Sequence, residues 1–431
     1  MLKKKTSNDT KTLYKRVFYT IGILVIYHLI TYITIPGVDA KELLKVADNP
    51  SLTMLSMFSG GGFQTFSILS MGLTAYVTAQ IIVQLLQSNV VPKLTEWGKQ
   101  GQTGRNKLNQ VIRWLTLILG FAQSIGITAG INSMSGSHFL VDTSIWSYVL
   151  IGTLMTAGTF LAMWLGDLIT ENGIGNGVSV IIGTGIISRW PSLSQQLVKS
   201  LTHKGSVNYG MIVGIVVSFI VLTLFIVWFN QSERRIPIQY ARHESLTGRD
   251  SFLPLKINVP GVVPVIFASS LLAIPQTLLM FFQDKNTEVW YKILANFFTL
   301  NTNTGVVIYG ILIVAFTYLY SAIQIEPDKM ADNFQKQEAY IPGVYPGAPT
   351  ANYIERLLYE LAFPGSLFLT AISVIPLIAS NQISPSLQLG ISGSSLLIVA
   401  GVITEMIRQI KGLRFKNDYV GFLNKAYEFK D

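Results

Sequence analysis

The run Met211-Ile-Val-Gly-Ile-Val-Val-Ser-Phe-Ile-Val-Leu-Thr-Leu-Phe-Ile-Val-Trp-Phe229 contains no Asp, Glu, Lys or Arg. A helix of about 20 apolar residues is long enough to span the roughly 30 Å hydrocarbon core of a bilayer. This run therefore predicts a transmembrane helix. The composition agrees, because 50% of the 431 residues are hydrophobic and only 13% are charged, too few for the surface of a water-soluble globule of this size.

Outward from this run, the same criterion identifies further apolar stretches along the whole chain. We predict an all-α membrane protein with ten spans, at about 17–35, 67–89, 114–132, 143–165, 177–195, 208–229, 260–282, 304–325, 361–380 and 391–407. Arg189 and Pro191 are expected to cut the fifth span short on one side. An even number of spans places both termini on the same side of the membrane.

The 32 Lys and Arg residues fall mainly in the tails and loops on one side of these spans. The other side holds only Lys41, Lys45, Arg189, Lys199, Lys204, Lys285 and Lys292. Because cytoplasmic loops carry the excess of Lys and Arg, this asymmetry predicts that both termini are cytoplasmic.

The ten spans divide into two halves of five. We predict a cytoplasmic tail at 1–16, a first half at 17–206, a second half at 207–410 and a cytoplasmic tail at 411–431. Two homologous halves with an odd number of spans must face opposite ways, so a pseudo-symmetric inverted pair is expected, although no clear repeat is visible in the sequence.

Two cytoplasmic loops of the second half are long, at about 231–258 and 326–356, and both are basic and rich in turn-forming residues. Loops of this length usually dock a partner, but a solvated tether explains their charge equally well.

Several kinds of chemistry are missing from the sequence. The cores of the spans contain no Asp, Glu, Lys or Arg, and the chain has no cysteine. We find no nucleotide-binding, zinc-protease or serine-hydrolase motif, so we expect no cofactor and no enzymatic activity. A secondary transporter of a small solute is the main alternative function, but it would normally carry mid-membrane charges or unwound helices. A scaffold or insertase without a continuous pore is a third possibility.

Two glycine clusters interrupt the pattern. Gly60 to Gly62 separate a short segment at 52–59 from the second span, which indicates either a re-entrant element or an ordinary flexible loop. Gly173, Gly175 and Gly177 predict a tight turn before the fifth span, since no strand precedes them and no Lys follows as in a phosphate loop.

A series of motifs then appears in a fixed order over about residues 15–424. They are Ile35-Pro-Gly-Val-Asp39, Met57-Phe-Ser-Gly-Gly-Gly62, Val91-Pro-Lys-Leu-Thr-Glu-Trp97, Gln123-Ser-Ile-Gly126, Trp164-Leu-Gly-Asp-Leu-Ile-Thr170, Arg235-Ile-Pro-Ile-Gln-Tyr-Ala241, Leu253-Pro-Leu-Lys-Ile-Asn258, Met330-Ala-Asp-Asn333, Tyr340-Ile-Pro-Gly343 and Ser395-Leu-Leu-Ile398. In this order they resemble the SecY family, which forms the pore of the general protein-translocation channel.

The resemblance implies an hourglass channel with an apolar ring at mid-membrane. The ring positions are Leu73, Val77, Val178, Ile182, Ile266 and Ile398. It also implies a short re-entrant plug helix at about 52–62. The plug and hinge positions are Leu52, Met54, Leu55, Phe58, Gly60, Gly61 and Gly62. Without the resemblance, each ring residue would be read as an ordinary core or lipid-facing position.

The resemblance further implies a lateral gate between the spans that begin near 67 and 114 and those near 260 and 304. Gln84, Gln123 and Gln276 are polar groups in that seam, and hydrogen bonds among them are expected to hold it shut. Without the resemblance, each glutamine would be interpreted as an ordinary polar contact between packed helices.

The two cytoplasmic loops correspond to docking sites for the ribosome and for the SecA motor ATPase. The docking residues implied are Arg234, Arg235, Arg242, Arg249, Tyr345 and Arg356. Topology-setting charge explains the Arg residues of the first loop equally well. Tyr345 stands where the family usually has Arg, so one cation is lost from this loop. The full set of loops favours the housekeeping member of the family.

We therefore expect the central pore subunit of a protein-conducting channel in a bacterial plasma membrane. Such a channel translocates unfolded secretory preproteins with signal sequences and releases membrane proteins laterally into the lipid bilayer. The resemblance implies small SecE-type and SecG-type subunits, the SecA motor and the ribosome as partners.

Overall fold

The computed structural model describes residues 2–38, 65–87, 90–134, 139–202, 209–240, 251–282, 288–300, 302–383 and 393–428. The predicted plug from Leu52 to Phe58, its hinge at Gly60–Gly62, and the docking residues Arg242 and Arg249 lie outside these residues.

Most of the described residues are helical. The elements are α1 Leu2–Ile30, α2 Thr74–Gln87, α3 Pro92–Lys99, α4 Gln102–Met134, α5 Ile145–Asn172, α6 Gly177–Thr202, α7 Tyr209–Gln231, β1 Glu233–Tyr240, β2 Ser251–Lys256, α8 Val263–Phe281, α9 Val289–Phe298, α10 Asn303–Gln324, α11 Pro327–Lys336, β3 Ala339–Tyr340, α12 Ala348–Ile383 and α13 Gly393–Glu428. Three strands thus interrupt the all-α pattern that the sequence predicts.

Five of the described helices are long and apolar enough to cross a bilayer, namely α1, α4, α5, α10 and α12. Helices α6, α7 and α8 contain shorter apolar stretches. These eight match predicted spans, and the ten-span arrangement stays a prediction. Pro191 lies inside α6 and does not end the helix, but the apolar stretch of α6 ends at Ser188, so the fifth span is short as predicted.

The second predicted span, 67–89, is helical only from Thr74, because the chain forms successive turns before that residue. The backbone N–H of Ser70 donates to the carbonyl of Ser67 at 2.9 Å, and that of Gly72 donates to Leu69 at 2.8 Å. Gly72 has φ of 52°, which an L residue rarely adopts. Serine side chains and a glycine in a left-handed conformation favour turns over helix, and this explains the error.

Helix α5 covers these turns at close range. A Cβ atom built on Gly158 would lie 2.0 Å from the carbonyl oxygen of Ile68. Only glycine allows the backbone of the two segments to approach this closely.

The two long loops fold together into one antiparallel sheet with strand order β2-β1-β3. Glu233 pairs with Lys256 in β2, and Gln239 pairs with Tyr340 in β3. Ile236 and Leu255 from the sheet are buried against Ile354 and Leu358 of α12. The loops are thus a folded unit at one end of the bundle and not independent tethers.

The two predicted halves contact each other on two sides. Helix α8 of the second half packs against α2 and α4 of the first, and α13 packs against α6 and α1. The core between them is a hydrophobic cluster that draws residues from both halves.

We predict that Gly158→Ala destabilises the protein, because its new methyl group overlaps the Ile68 carbonyl. Overpacking a tight core costs about 1–3 kcal/mol. The apparent melting temperature in detergent, followed by circular dichroism, should fall.

Gly214→Ala is the matched control, since Gly214 is also helical and nothing lies within 4 Å of the position that its Cβ would take. Equal melting temperatures for the two variants would contradict the close approach of α5 to the turns.

Candidate functional site

The six predicted ring residues are part of the large hydrophobic core between the halves. Five of them belong to one buried hydrophobic cluster, which also contains Tyr27, Tyr309 and Phe316, and Val178 packs against it. They come from the end of the turn segment and α2, from α6, from α8 and from α13. The cluster members among them are Leu73, Val77, Ile182, Ile266 and Ile398.

A cavity of about 310 Å³ opens next to this cluster, at the end of the bundle that carries the sheet. We call it the vestibule. Its lining is Gly175, Asn176, Ser179, Val180, Asn230, Lys256, Asn258, Val259, Pro260, Gly261, Val262, Val263, Gln324, Gly401, Val402, Thr404 and Glu405. Both halves contribute, and several of these valines are members of the cluster or pack against it, so the polar cavity ends on apolar side chains.

Polar contacts join separate elements around the vestibule. The Nζ of Lys256, at the end of β2, lies 3.7 Å from Oε2 of Glu405 on α13. Partial burial lowers the pKa of Lys256, Arg408 lowers it further, and Glu405 opposes both effects. The side chain of Asn258 donates to Asn230 Oδ1 at 2.9 Å and to the carbonyl of Gly261 at 3.1 Å.

The predicted tight turn before α6 is confirmed and is held from two directions. Gly175 has φ of 90°, and its N–H donates to Oε1 of Gln409 on α13 at 2.7 Å. The N–H of Ile174 donates to Oγ1 of Thr20 on α1 at 3.0 Å. The turn therefore connects the first half to the last helix of the second half.

The predicted gate seam is a direct helix contact between α4 and α8. A Cβ on Gly126 would lie 3.0 Å from Cγ2 of Thr277, so the helices touch closely at this point.

The three predicted gate glutamines lie on α2, α4 and α8, which meet at this seam. The Nε2 of Gln276 donates to the backbone carbonyl of Phe298, at the end of α9, at 3.0 Å. Within the described residues, Oε1 of Gln84 and Oε1 of Gln123 are buried and accept no hydrogen bond. The expected bonds among the glutamines therefore do not pass through these two oxygens.

The docking residues that the structure describes lie on the sheet and beside it. Arg234 and Arg235 are exposed on β1, and the guanidinium of Arg235 sits 4.8 Å from the ring of Phe252. Arg356 on α12 is exposed and pairs with Glu360 at 3.1 Å. Tyr345 is 83% exposed, while its carbonyl accepts from Oγ1 of Thr350 at 2.8 Å. Its ring thus projects into solvent from a backbone fixed by hydrogen bonding.

Sequence reasoning missed two polar residues of the vestibule, Lys256 and Asn258, and it missed Gln409, which accepts a hydrogen bond from the vestibule residue Gly175. Each of the three has a partner on an element that is distant in the sequence, so no local spacing connects them. It also missed the pairing of β1 with β3, which joins two loops separated by α8, α9 and α10.

Comparison with known proteins gives consistent results. The family profile described as SecY matches residues 67–407. The protein translocase subunit SecY 2 of Lactobacillus kefiranofaciens subsp. kefiranofaciens is 56% identical over 95% of this chain and 100% of its own length. Subunit SecY 1 of the same organism is 45% identical over 97% of this chain and 99% of its own. The SecY subunit of Lactococcus lactis subsp. cremoris is 42% identical over 99% of both chains.

Solved structures show the same fold at low sequence identity. A structure of a protein-conducting channel superimposes with a TM-score of 0.64 at 15% identity, covering 94% of this chain and 93% of that one. Sec61 in a canine ribosome–channel complex from the endoplasmic reticulum gives 0.59 at 14% identity with the same coverage.

We predict that Ile266→Asn or Ile398→Asn makes the apolar cluster permeable to ions. An amide in the cluster attracts water, and a hydrophobic constriction blocks ions only while it stays dry. Ion flux through proteoliposomes that contain the variant should rise several-fold.

Ile266→Leu and Ile398→Leu are the matched controls, because they keep the volume and the apolar character. Wild-type flux in both Asn variants, at equal amounts of inserted protein, would show that these residues do not form the seal.

Proposed function

The chain belongs to the SecY family, and we propose that the cavity and the apolar cluster are the two working parts of its protein-conducting channel. The chain is the pore subunit through which unfolded secretory proteins cross a membrane and from which apolar segments enter it. The observation that carries this assignment of parts is the vestibule, which both halves line and which ends on a hydrophobic cluster also built by both halves.

Aliphatic side chains suit a seal around a moving polypeptide. They offer no fixed hydrogen-bond partner, so no passing residue is held, and their dispersion contacts adapt to any side chain. The vestibule provides backbone groups and side-chain amides such as Asn176, Asn230 and Asn258, which can form hydrogen bonds with an entering chain. The small-solute transporter considered as the alternative is not supported, since the curated relatives are translocase subunits.

The finer architecture is part of the proposal. Ten spans form two inverted halves, both termini are cytoplasmic, and the segment at 52–62 acts as the plug on the outer side of the cluster. The asymmetry of Lys and Arg supports this orientation, and it places the sheet of β1, β2 and β3 on the cytoplasmic side. The membrane is the plasma membrane of a bacterium.

The α4–α8 seam is proposed as the lateral gate. Its contact at Gly126 and Thr277 is close, and the buried Oε1 atoms of Gln84 and Gln123 gain no hydrogen bond when it is closed. Buried polar atoms without partners make the closed state less stable, so a modest interaction with an entering apolar helix suffices to open it.

The cytoplasmic sheet is proposed as the docking face for the SecA motor and the ribosome, and SecE-type and SecG-type subunits as partners within the membrane. Pairing of β1 with β3 places Arg234 and Arg235 in the same folded unit as the loop that carries Tyr345. An arginine pair suits the phosphates of ribosomal RNA. Energy for transport comes from such a partner, because the sequence has no nucleotide-binding motif.

The two relatives from one organism bear on which copy this chain represents. It is more similar to the subunit numbered 2 than to the subunit numbered 1. We therefore propose that it is the counterpart of that second copy, against the expectation of a housekeeping member. Tyr345 in place of the family arginine fits a motor contact that differs from the usual one.

We predict that the chain, reconstituted in liposomes with a SecE-type subunit and SecA, protects a secretory preprotein from added protease when ATP is present. Liposomes without this chain are the control. Protection without the chain, or uptake of a small solute in place of protection, would reject the channel assignment.

In the same assay Tyr345→Arg tests the motor contact, since a restored cation should increase the rate of transport with SecA.

We predict that Gly126→Leu opens the proposed gate. A branched side chain cannot fit where even a Cβ would approach Thr277 to 3.0 Å, so α4 and α8 must separate. Preproteins with weakened signal sequences should then be translocated several-fold faster than by the wild type. Gly214→Leu, at an open helical position, is the control; identical signal requirements in both variants would place the gate elsewhere.

A further inference from the structure

Helix α9, Val289–Phe298, connects the two gate-side helices α8 and α10 at the end of the bundle opposite the sheet. None of its residues is fully buried. Its ten residues are too few to cross a bilayer, and the search for spans in the sequence missed it.

Large apolar side chains form an exposed stripe along α9. Val289, Ile293 and Phe297 are spaced four residues apart and therefore lie on one face, and Trp290 lies beside them. Their exposed fractions are 74%, 52% and 45%, and 40% for Trp290. A surface of this kind on an otherwise folded element marks an interaction site.

A different face of α9 holds it against the protein. Phe298 packs against the central cluster, and Leu294 and Ala295 are half-buried. The polar residues Lys292 and Asn296, again four apart, are exposed beside the stripe. The helix is thus apolar toward the protein, apolar along the stripe and polar in between.

The stripe continues into the apolar surface of the neighbouring helices. Leu278 and Phe281 at the end of α8 are exposed, as are Val307 and Ile311 near the start of α10. The ring of Trp290 stacks edge to face with Phe282, 5.8 Å between centroids, and joins the two surfaces. Helices α8 and α10 are apolar enough to lie in the membrane, so the lipid that contacts their exposed apolar side chains also covers the stripe on α9.

We propose that α9 is an interfacial membrane helix, with its stripe in the outer leaflet of the bilayer. Val289, Ile293 and Phe297 enter the acyl-chain region, Trp290 lies at the level of the headgroups, and the ammonium of Lys292 faces the lipid phosphates. Tryptophan and lysine are the residues that favour this boundary. The inference rests on the proposed orientation of the chain in the membrane.

The contact between Gln276 and α9 gives this anchor a consequence for the gate. Gln276 lies next to Thr277 at the seam, and its Nε2 donates to the carbonyl of Phe298 at the end of α9. A displacement of α8 at the seam must move α9 or break this hydrogen bond. Lipid that holds α9 in place therefore favours the closed seam.

The absence of cysteine from the sequence allows a direct test with single spin labels in proteoliposomes. Cysteines introduced at 289, 293 and 297 should be accessible to oxygen and protected from a water-soluble nickel reagent. Labels at 292 and 296 should show the opposite pattern. A label at 311 serves as the lipid reference, and one at 345 as the water reference.

Nickel accessibility at 289, 293 and 297 equal to that at 345 would overturn the proposal, because the stripe would then lie in water. Low accessibility to both reagents would also overturn it, since a protein would cover the stripe. If the label at 311 is itself in water, the membrane placement of the chain fails and not the assignment of α9 alone.

A pair of cysteines across the seam tests whether α9 holds the gate closed. Cysteines at 126 and 277 should form a disulfide rapidly while the seam is closed, because these positions touch and Thr277→Cys removes the Cγ2 methyl that a Cβ at 126 would meet. Adding Ile293→Ser and Phe297→Ser should slow that reaction several-fold, whereas adding Ile293→Leu and Phe297→Leu, which keep the stripe apolar, should leave it unchanged. Equal rates in all three proteins would show that α9 does not hold the seam.

Discussion

The bilayer core has no water to satisfy a free backbone N–H or C=O, and this constraint shapes every part of the molecule within it. Most of the chain meets it with helices. The turns at 65–73 meet it with local bonds within the segment and with two bonds to the chain after α1, where Ile35 donates to Phe66 and Ile68 donates to Ile33. Gly158 lets α5 pack directly against this irregular backbone. The segment ends at Leu73, so the exception to helix lies directly beside the apolar cluster.

A structural feature could be predicted from the sequence when it depends on neighbouring residues, and could not when it depends on contacts between distant segments. A span is a local property, because the length of an apolar run alone determines whether it can cross. Helix ends were less predictable, since Ser67, Ser70 and Gly72 form turns inside an apolar run. The three-stranded sheet depends on pairing between loops that are distant in sequence, and such pairing leaves no periodic trace in either loop.

The site shows the same division between local and long-range information. Composition gives no reason to single out six aliphatic residues among the many in the spans, so the ring positions came only from the resemblance to the family. The structure places them in or against one large hydrophobic cluster, and it also adds the vestibule, where Lys256 and Asn258 are functional candidates only because of their partners on other elements. Packing between elements that are distant in the sequence supplies those partners, and no spacing in the sequence encodes it.

Helix α8 connects all of these features. It follows β2 in the chain, and its first residue lines the vestibule. Further along it carries Ile266 in the cluster and contacts α4 at Thr277, and α9 is the next helix in the chain. Pro275 lies inside it, and a proline removes one backbone hydrogen bond and weakens the helix at that point. In the function proposed above, a partner docked on the sheet acts on one end of α8, and lipid around α9 acts on the other. Because the cluster and the seam both lie between these ends, we propose that a shift of this one helix changes both the seal and the gate.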